Sequence, residues 1–230
     1  MKPRLIRISP SILCIDYNDD IVLKLALDKI EQCGANMVHL DVMDGKFVPN
    51  KTFDHTLVEK ISDLTSLMLD VHLMIENPQN VISDYAKAGA DIITVHYEAC
   101  EDIEETLKLI KSKNVLAGVA INPKTPAMKI KDILNRGLVD MVTVMGVNPG
   151  ASGQTIIPGS AEKVAEIRDM DKKVYIQIDG GVTLKNVSIL RKMGANVIVS
   201  SKAIFGAKNM KKAIKIMKGH GFMNKKFDDV

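Results

Sequence analysis

Four residues dominate a chemical reading of this chain: His39 and Asp41 in "VHLDVMDG", His72 in "DVHLMI" and Asp179 in "IQIDGG". Each lies at the end of a short apolar run, the pattern of a buried strand that delivers a polar group. Side chains two apart on a strand share a face, so His39 and Asp41 point the same way from one backbone. Two imidazoles and two carboxylates so placed are the donor set of a metal site. Nitrogen ligands select against calcium and magnesium, and a mixed imidazole and carboxylate set suits zinc, iron or manganese. Any one of these residues alone reads more simply as a hydrogen-bonded structural group. The four together, in equivalent positions, point to an ion.

Strand ends must hold these groups, and the chain alternates short β-branched runs with longer amphipathic stretches throughout. Strands are expected at 5–9, 37–42, 67–73, 91–96, 115–121, 139–145, 173–178 and 196–200. Helices are expected near 19–33, 54–64, 78–88, 101–113, 126–136, 159–170, 183–193 and 207–218. Asn77-Pro78 and Thr125-Pro126 read as helix starts with proline at the first helical position. A weak internal repeat supports the count. "CGANMVHLD", "AGADIITVH", "RGLVDMVTV" and "MGANVIVSS" each combine a helix-ending glycine, a short turn and a strand. They start at 33, 88, 136 and 193, about two βα units apart, and would introduce strands two, four, six and eight. The expected fold class is therefore α/β, a single (β/α)8 TIM barrel, with the active site at the carboxyl ends of the strands. A doubly wound open sheet is the alternative, since it alternates elements in the same way.

Size and charge agree with that expectation. The chain has 230 residues, close to the roughly 250 that such barrels use. A barrel over 1–220 with a polar tail over 221–230 is expected. Lys and Arg exceed Asp and Glu by 31 to 28, with the signs interspersed, which argues against a nucleic-acid partner. Cys14, Cys33 and Cys100 are odd in number and form no Cys-x-x-Cys pair, as in a reducing compartment. No apolar run reaches about 18 residues and the first residues do not read as a signal peptide. The expectation is a soluble cytoplasmic protein with no membrane partner.

Longer motifs narrow the reading. They are Ser9-Pro10-Ser11-Ile12-Leu13, "HLDVMDGKFVPN" from His39, "DVHLMI" from Asp70, "INPKTP" from Ile121, "VMGVNPGASGQ" from Val144 and "IDGGV" from Ile178. In this order and spacing the chain resembles the ribulose-phosphate 3-epimerase family of metal-dependent (β/α)8 barrels. The resemblance implies one divalent transition metal held by His39, Asp41, His72 and Asp179, zinc first and iron(II) or manganese(II) as alternatives. It implies Asp41 and Asp179 as the acid/base pair that interconverts D-ribulose 5-phosphate and D-xylulose 5-phosphate through a stabilised enediolate. It also implies a homo-oligomer. The chemistry is coherent, because epimerisation beside a ketone needs two proton carriers on opposite faces. A free Asp, with a pKa near 3.9, is too weak a base unless the enediolate is stabilised.

Further residues are expected around the substrate, a small ketose phosphate. Ser11 resembles the family's substrate-hydroxyl contact, and Met43, Met74 and Met145 its methionine lining, although methionine is also an adaptable core filler. His72 borders the substrate as well. The phosphate is expected over Gly150, Ser152, Gly153, Gln154, Gly180, Gly181, Ser201 and Lys202, where backbone N–H groups can receive an anion. Here the chain departs from the family: Pro-Gly-Phe-Gly-Gly-Gln becomes Pro149-Gly150-Ala151-Ser152-Gly153-Gln154, and Gly-Ser before Ala-Ile-Phe becomes Ser201-Lys202. Lys202 either adds charge at the phosphate or faces solvent. His96 in "TVHYE" resembles a position near the site and reads equally as a structural hydrogen bond. A 3-epimerase for a hexulose phosphate such as D-allulose 6-phosphate is the alternative enzyme. An inactive sugar-phosphate-binding barrel is the alternative of another class. The related decarboxylases and aldol-type synthases place Asp-x-Lys-x-x-Asp at strand three, where this chain has Asp70-Val71-His72-Leu73-Met74-Ile75 and no lysine.

Overall fold

Eight parallel strands form a single sheet in the computed structural model, which describes residues 5–151 and 153–220. They are β1 (Arg7–Pro10), β2 (Met37–Met43), β3 (Met68–Met74), β4 (Ile92–His96), β5 (Leu116–Ile121), β6 (Met141–Met145), β7 (Tyr175–Asp179) and β8 (Val197–Ser200). The order β1-β8-β7-β6-β5-β4-β3-β2 leaves one seam, and a parallel bridge between Ser11 and His39 joins it. The barrel expected from the alternation is the fold observed. Ser152 and the tail over 221–230 lie outside the described residues.

Helices α1 (Asp20–Gln32), α2 (His55–Leu64), α3 (Ile82–Lys87), α4 (Ile103–Ser112), α5 (Lys131–Asn135), α6 (Ser160–Met170), α7 (Val187–Met193), α8 (Lys202–Phe205) and α9 (Met210–Lys218) connect the strands. Strands covered on both faces are apolar along their length, which is why these segments read as continuous runs. Among the described residues, no helix is long and apolar enough to cross a membrane.

Some helices differ from their expected extents, for local reasons. The stretch 126–136 divides into a 3-10 turn, Ala127–Ile130, followed by α5. Pro126 is the extended cap before that turn and so precedes the first helical position. Pro78 does occupy the first position of its 3-10 turn, Pro78–Asn80, and α3 follows. Residues 183–186 form a turn before α7, because Thr183 and Asn186 exchange side-chain and backbone hydrogen bonds at 2.8 and 3.3 Å. α9 begins at Met210 because the Asn209 side chain caps the Lys212 N–H at 2.9 Å.

The internal repeat has a structural meaning. Gly34, Gly89, Gly137 and Gly194 all have φ between +67° and +118°, the turn each repeat needs between helix and strand. The Asn or Asp two residues beyond Gly34, Gly89 and Gly194, and three beyond Gly137, clamps the preceding odd strand. Asn36 donates its N–H to the Ile8 carbonyl and accepts the Ile8 N–H on its side chain, at 3.0 and 3.1 Å. Asp91 grips Leu69 at 3.1 and 2.8 Å, Asp140 grips Ala117 at 2.8 and 2.9 Å, and Asn196 grips Ile176 at 3.0 and 2.7 Å. Four equivalent side-chain clamps thus tie even strands to odd ones at their amino ends.

Inside the barrel, Met37, Ile92, Met141 and Val197 from the four even strands make an apolar floor. Above it the interior carries buried polar side chains. The Asp70 carboxylate on β3 accepts from Ser9 on β1 at 2.8 Å and from Gln177 on β7 at 2.5 Å, and Gln177 accepts from Thr143 on β6 at 2.7 Å. All four side chains are buried and hydrogen-bonded across the barrel, as buried polar groups must be.

Candidate metal and acid–base site

β2, β3 and β7 carry the four singled-out side chains: Asp179 ends β7, Asp41 and His72 are paired two residues before the ends of β2 and β3, and His39, expected at a strand end, lies one inward step deeper in register with Asp70. His39 and His72 are fully buried, while Asp41 and Asp179 are 6% and 9% exposed. One donor atom from each lies within 4.8 Å of the other three. The His39 Nε2 stands 3.3 Å from Asp41 Oδ1 and 3.7 Å from Asp179 Oδ2. The His72 Nδ1 stands 3.5 Å from those same two carboxylate oxygens.

These two nitrogens are buried and make no hydrogen bond within the protein. Such orphans are costly unless something occupies the space they face. Two imidazole lone pairs aimed at two carboxylates fit a divalent cation, whose charge balances both aspartates. Asp70 prepares the first ligand. Its Oδ2 lies 2.8 Å from His39 Nδ1, so the proton sits on Nδ1 and leaves Nε2 for the ion.

The electrostatics agree. Burial pushes the His39 pKa down, but the carboxylates of Asp70 and Asp41 outweigh it and raise it well above the usual value. For Asp41 burial pushes upward, and the neighbouring His39 and His72 imidazoles hold it well below the carboxylate range. The cluster therefore draws positive charge to the point between its donors. His96 on β4 behaves differently: burial lowers its pKa to about 4, against the pull of Glu98, and the ring is neutral near pH 7.

A cavity of about 200 Å³ opens beside the cluster. Asp41, Asp179, Ser11, Met43, Met74, Met145, Gly150, Gly153, Gln154, Gly180, Gly181, Ser201 and Lys202 line it, the fully buried His72, also expected at the substrate, is not among its lining residues, and Ser152 is not among the described residues. The Ser11 hydroxyl donates to Asp41 Oδ2 at 2.7 Å, so the aspartate turns one oxygen to the histidines and the other to the serine. Met43 and Met74 pack with Val48, Leu13 and Phe47 into an apolar wall. The amide of Gln154 donates to the carbonyls of Asn148 and Ala151 at 2.8 and 3.0 Å, so its donors shape the loop that carries it. Lys202 begins α8 and lays its ammonium over Gly153. It therefore lies at the cavity wall while remaining exposed to solvent.

Several contributors escape a reading for strand-end polar groups. Asp70, Ser9 and Gln177 lie in mid-strand, where alternating inward positions in "DVH" and "IQID" are their only signal. His96, which the sequence leaves open, reaches His72 from the end of the next strand, and Glu98 contacts His96 from the turn that follows. At Gly146 the backbone N–H donates to the Asp179 carbonyl at 2.5 Å, and a Cβ there would collide with the Gly180 carbonyl. This close approach holds β6 against the end of β7 and sets the position of Asp179. The long motif after β2 is also structural in part. Asp44 accepts three backbone N–H bonds, from Lys46, Phe47 and Glu76 at 2.8 to 2.9 Å, and Asn50 donates to the Gly150 carbonyl at 2.6 Å.

Comparison with known proteins decides the family. A model described as the ribulose-phosphate 3-epimerase family matches residues 7–205. The chain belongs to this family. It is 41% identical over 220 residues to the ribulose-phosphate 3-epimerase of Bacillus subtilis, covering 94% of this chain and 99% of that one. It is 42% identical over 217 residues to the chloroplastic ribulose-5-phosphate-3-epimerase of Arabidopsis thaliana, covering 92% and 75%. Among solved structures, 3-hexulose-6-phosphate synthase from Salmonella typhimurium superposes with a TM-score of 0.67 at 16% identity, over 94% of this chain and all of that one. That likeness is one of fold. Membership makes the chain an isomerase, an epimerase by class.

Proposed function

We propose that this epimerase interconverts D-ribulose 5-phosphate and D-xylulose 5-phosphate, with Asp41 and Asp179 as the two proton carriers. The observation that supports this most directly is the pair of orphaned nitrogens, His39 Nε2 and His72 Nδ1, facing two carboxylates beside an open cavity. Family membership and the names of the relatives supply the substrate.

His39, Asp41, His72 and Asp179 would hold one divalent ion, zinc by preference, with iron(II) or manganese(II) able to replace it. When bound, it supplies Lewis-acid stabilisation of negative charge on the substrate's ketone and hydroxyl oxygens. The protein's own part is to move protons. Asp41 and Asp179 come from β2 and β7, so they meet the substrate from different sides. In one direction an ionised aspartate takes the C3 proton from one face, and the other aspartate, protonated, returns a proton to the opposite face. In the reverse direction the roles exchange. Ser11 holds Asp41 Oδ2 in place and is within reach of a substrate hydroxyl. Met43, Met74 and Met145 exclude water without offering a competing acid or base. The phosphate lies over Gly150, Gly153, Gly180 and Gly181, beside Ser201 and Lys202. A homo-oligomer in the cytoplasm completes the reading.

The test is a coupled assay of D-ribulose 5-phosphate and D-allulose 6-phosphate on protein reconstituted with zinc, iron(II) or manganese(II). Pentulose turnover is expected, with Asp41→Asn and Asp179→Asn each reducing kcat by about 10²- to 10⁴-fold. Wild-type turnover in either variant refutes the proton assignment, and turnover of the hexulose phosphate alone refutes the substrate.

A further inference from the structure

His72 presents Nδ1 to the two carboxylates, yet an imidazole carries its proton on either nitrogen. Something must keep that proton on Nε2. One contact of Nε2 can do so, the one to His96 Nε2 at 2.9 Å, with the two ring planes only 21° apart so that the nitrogens meet nearly in plane. Two ring nitrogens facing each other make a hydrogen bond only if one is bare and the other carries hydrogen, so the tautomer of His96 decides that of His72.

We propose that Glu98 sets both tautomers, making Glu98 and His96 positioning residues that hold His72 Nδ1 bare for the ion. Glu98 Oε2 lies 3.3 Å from His96 Nδ1. A carboxylate only accepts, so His96 Nδ1 carries the proton and His96 Nε2 is bare. His72 Nε2 must then donate, which leaves His72 Nδ1 without hydrogen, 3.5 Å from Asp41 Oδ1 and Asp179 Oδ2.

Glu98 is itself fixed. It follows β4 in a 3-10 turn, Tyr97–Ala99, and its Oε1 accepts the Asn122 N–H at 2.8 Å and the Thr125 hydroxyl. The loop that supplies those donors is held from α6, where Lys163 Nζ donates to the carbonyls of Asn122, Pro123 and Thr125 at 2.9, 2.9 and 2.6 Å. A chain of contacts thus runs from Lys163, through the β5 loop, Glu98 and His96, to His72. It parallels the simpler pair in which Asp70 fixes His39.

This inference rests on the reading of the four-residue cluster as a metal site. The test is Glu98→Gln, which keeps shape and volume. The Asn122 N–H demands an oxygen at the Oε1 position, so the amide NH2 is left facing His96 Nδ1. That reverses His96, then His72, and puts a hydrogen on the nitrogen that should bind the ion. The readout is cobalt(II) and zinc affinity by competition with a chromophoric chelator, with circular dichroism to verify the fold. Affinity should fall by about 10- to 100-fold in Glu98→Gln. Equal affinity in a folded variant overturns the proposal and leaves the metal reading standing, whereas a wild-type chain that binds neither ion overturns the metal reading as well. Independently of any variant, long-range 1H–15N NMR of the zinc-loaded wild type should find hydrogen on His96 Nδ1 and His72 Nε2. Hydrogen on His96 Nε2 overturns the proposal.

Discussion

Lys202 carries the clearest individual departure of this chain from its family's pattern. Its ammonium lies over Gly153 at the wall of the cavity, where the substrate phosphate is proposed to sit. A cation at a partly solvated anion site adds a modest, screened attraction. Lys202→Ser should therefore raise KM about 3- to 10-fold with kcat nearly unchanged, and raising the ionic strength should narrow the gap. Steady-state kinetics at two salt concentrations check this, and an unchanged KM removes Lys202 from the phosphate grip. Ser11 differs in kind. Its hydroxyl is already engaged with Asp41 Oδ2, so its first effect is on the orientation of a proposed proton carrier.

Strands come together through a device that repeats four times. Asn36, Asp91, Asp140 and Asn196 each close the join between an even strand and the odd strand before it, using one side-chain oxygen and one N–H. Removing one such side chain strands a backbone N–H that water cannot easily reach. Asn196→Ala, at a buried position, should cost about 1–3 kcal/mol. For a chain of this length that corresponds to a Tm lower by about 2–10 °C. The clamps lie at the amino ends of the strands, the opposite end from the proposed catalytic groups, so kcat and KM should stay near wild type. Thermal unfolding and kinetics on one preparation separate the two effects. Loss of activity in a folded, fully metallated variant contradicts this division between the two ends.

The barrel as a whole gathers donors that are remote along the chain. His39 and Asp179 stand 3.7 Å apart at their nearest charged atoms, on β2 and β7. An ion at the cluster links β2, β3 and β7, and it binds a site that the unfolded chain does not possess. Metal binding is then also folding energy. At a free ion concentration about 1,000 times Kd the gain is about 4 kcal/mol, or a Tm higher by about 10 °C. Calorimetry of chelator-treated protein, before and after zinc is restored, measures this. An identical Tm in both states would show that no ion binds preferentially to the folded barrel.

Local pattern by itself determined a good deal: the eightfold alternation, the even-strand repeat and the four donor residues. Period, turn glycines and strand-end polar groups are short-range properties, and the parallel strands, buried on both faces, kept their apolar runs intact. Helix ends were less legible, because caps such as Asn209 and the Thr183–Asn186 turn decide them through single hydrogen bonds. Only the tertiary structure decided what surrounds the donors. Asp70, Gln177, Glu98 and Gly146 act through contacts between strands that their local sequence does not announce, and His96, left open between a place near the site and a structural hydrogen bond, is found against His72. Which nitrogen of each histidine faces the ion depends on Asp70 for His39 and on the His96 ring for His72. That choice is made by closure of the barrel, because a hydrogen bond between residues 24 or 31 positions apart exists only once the sheet has set their register.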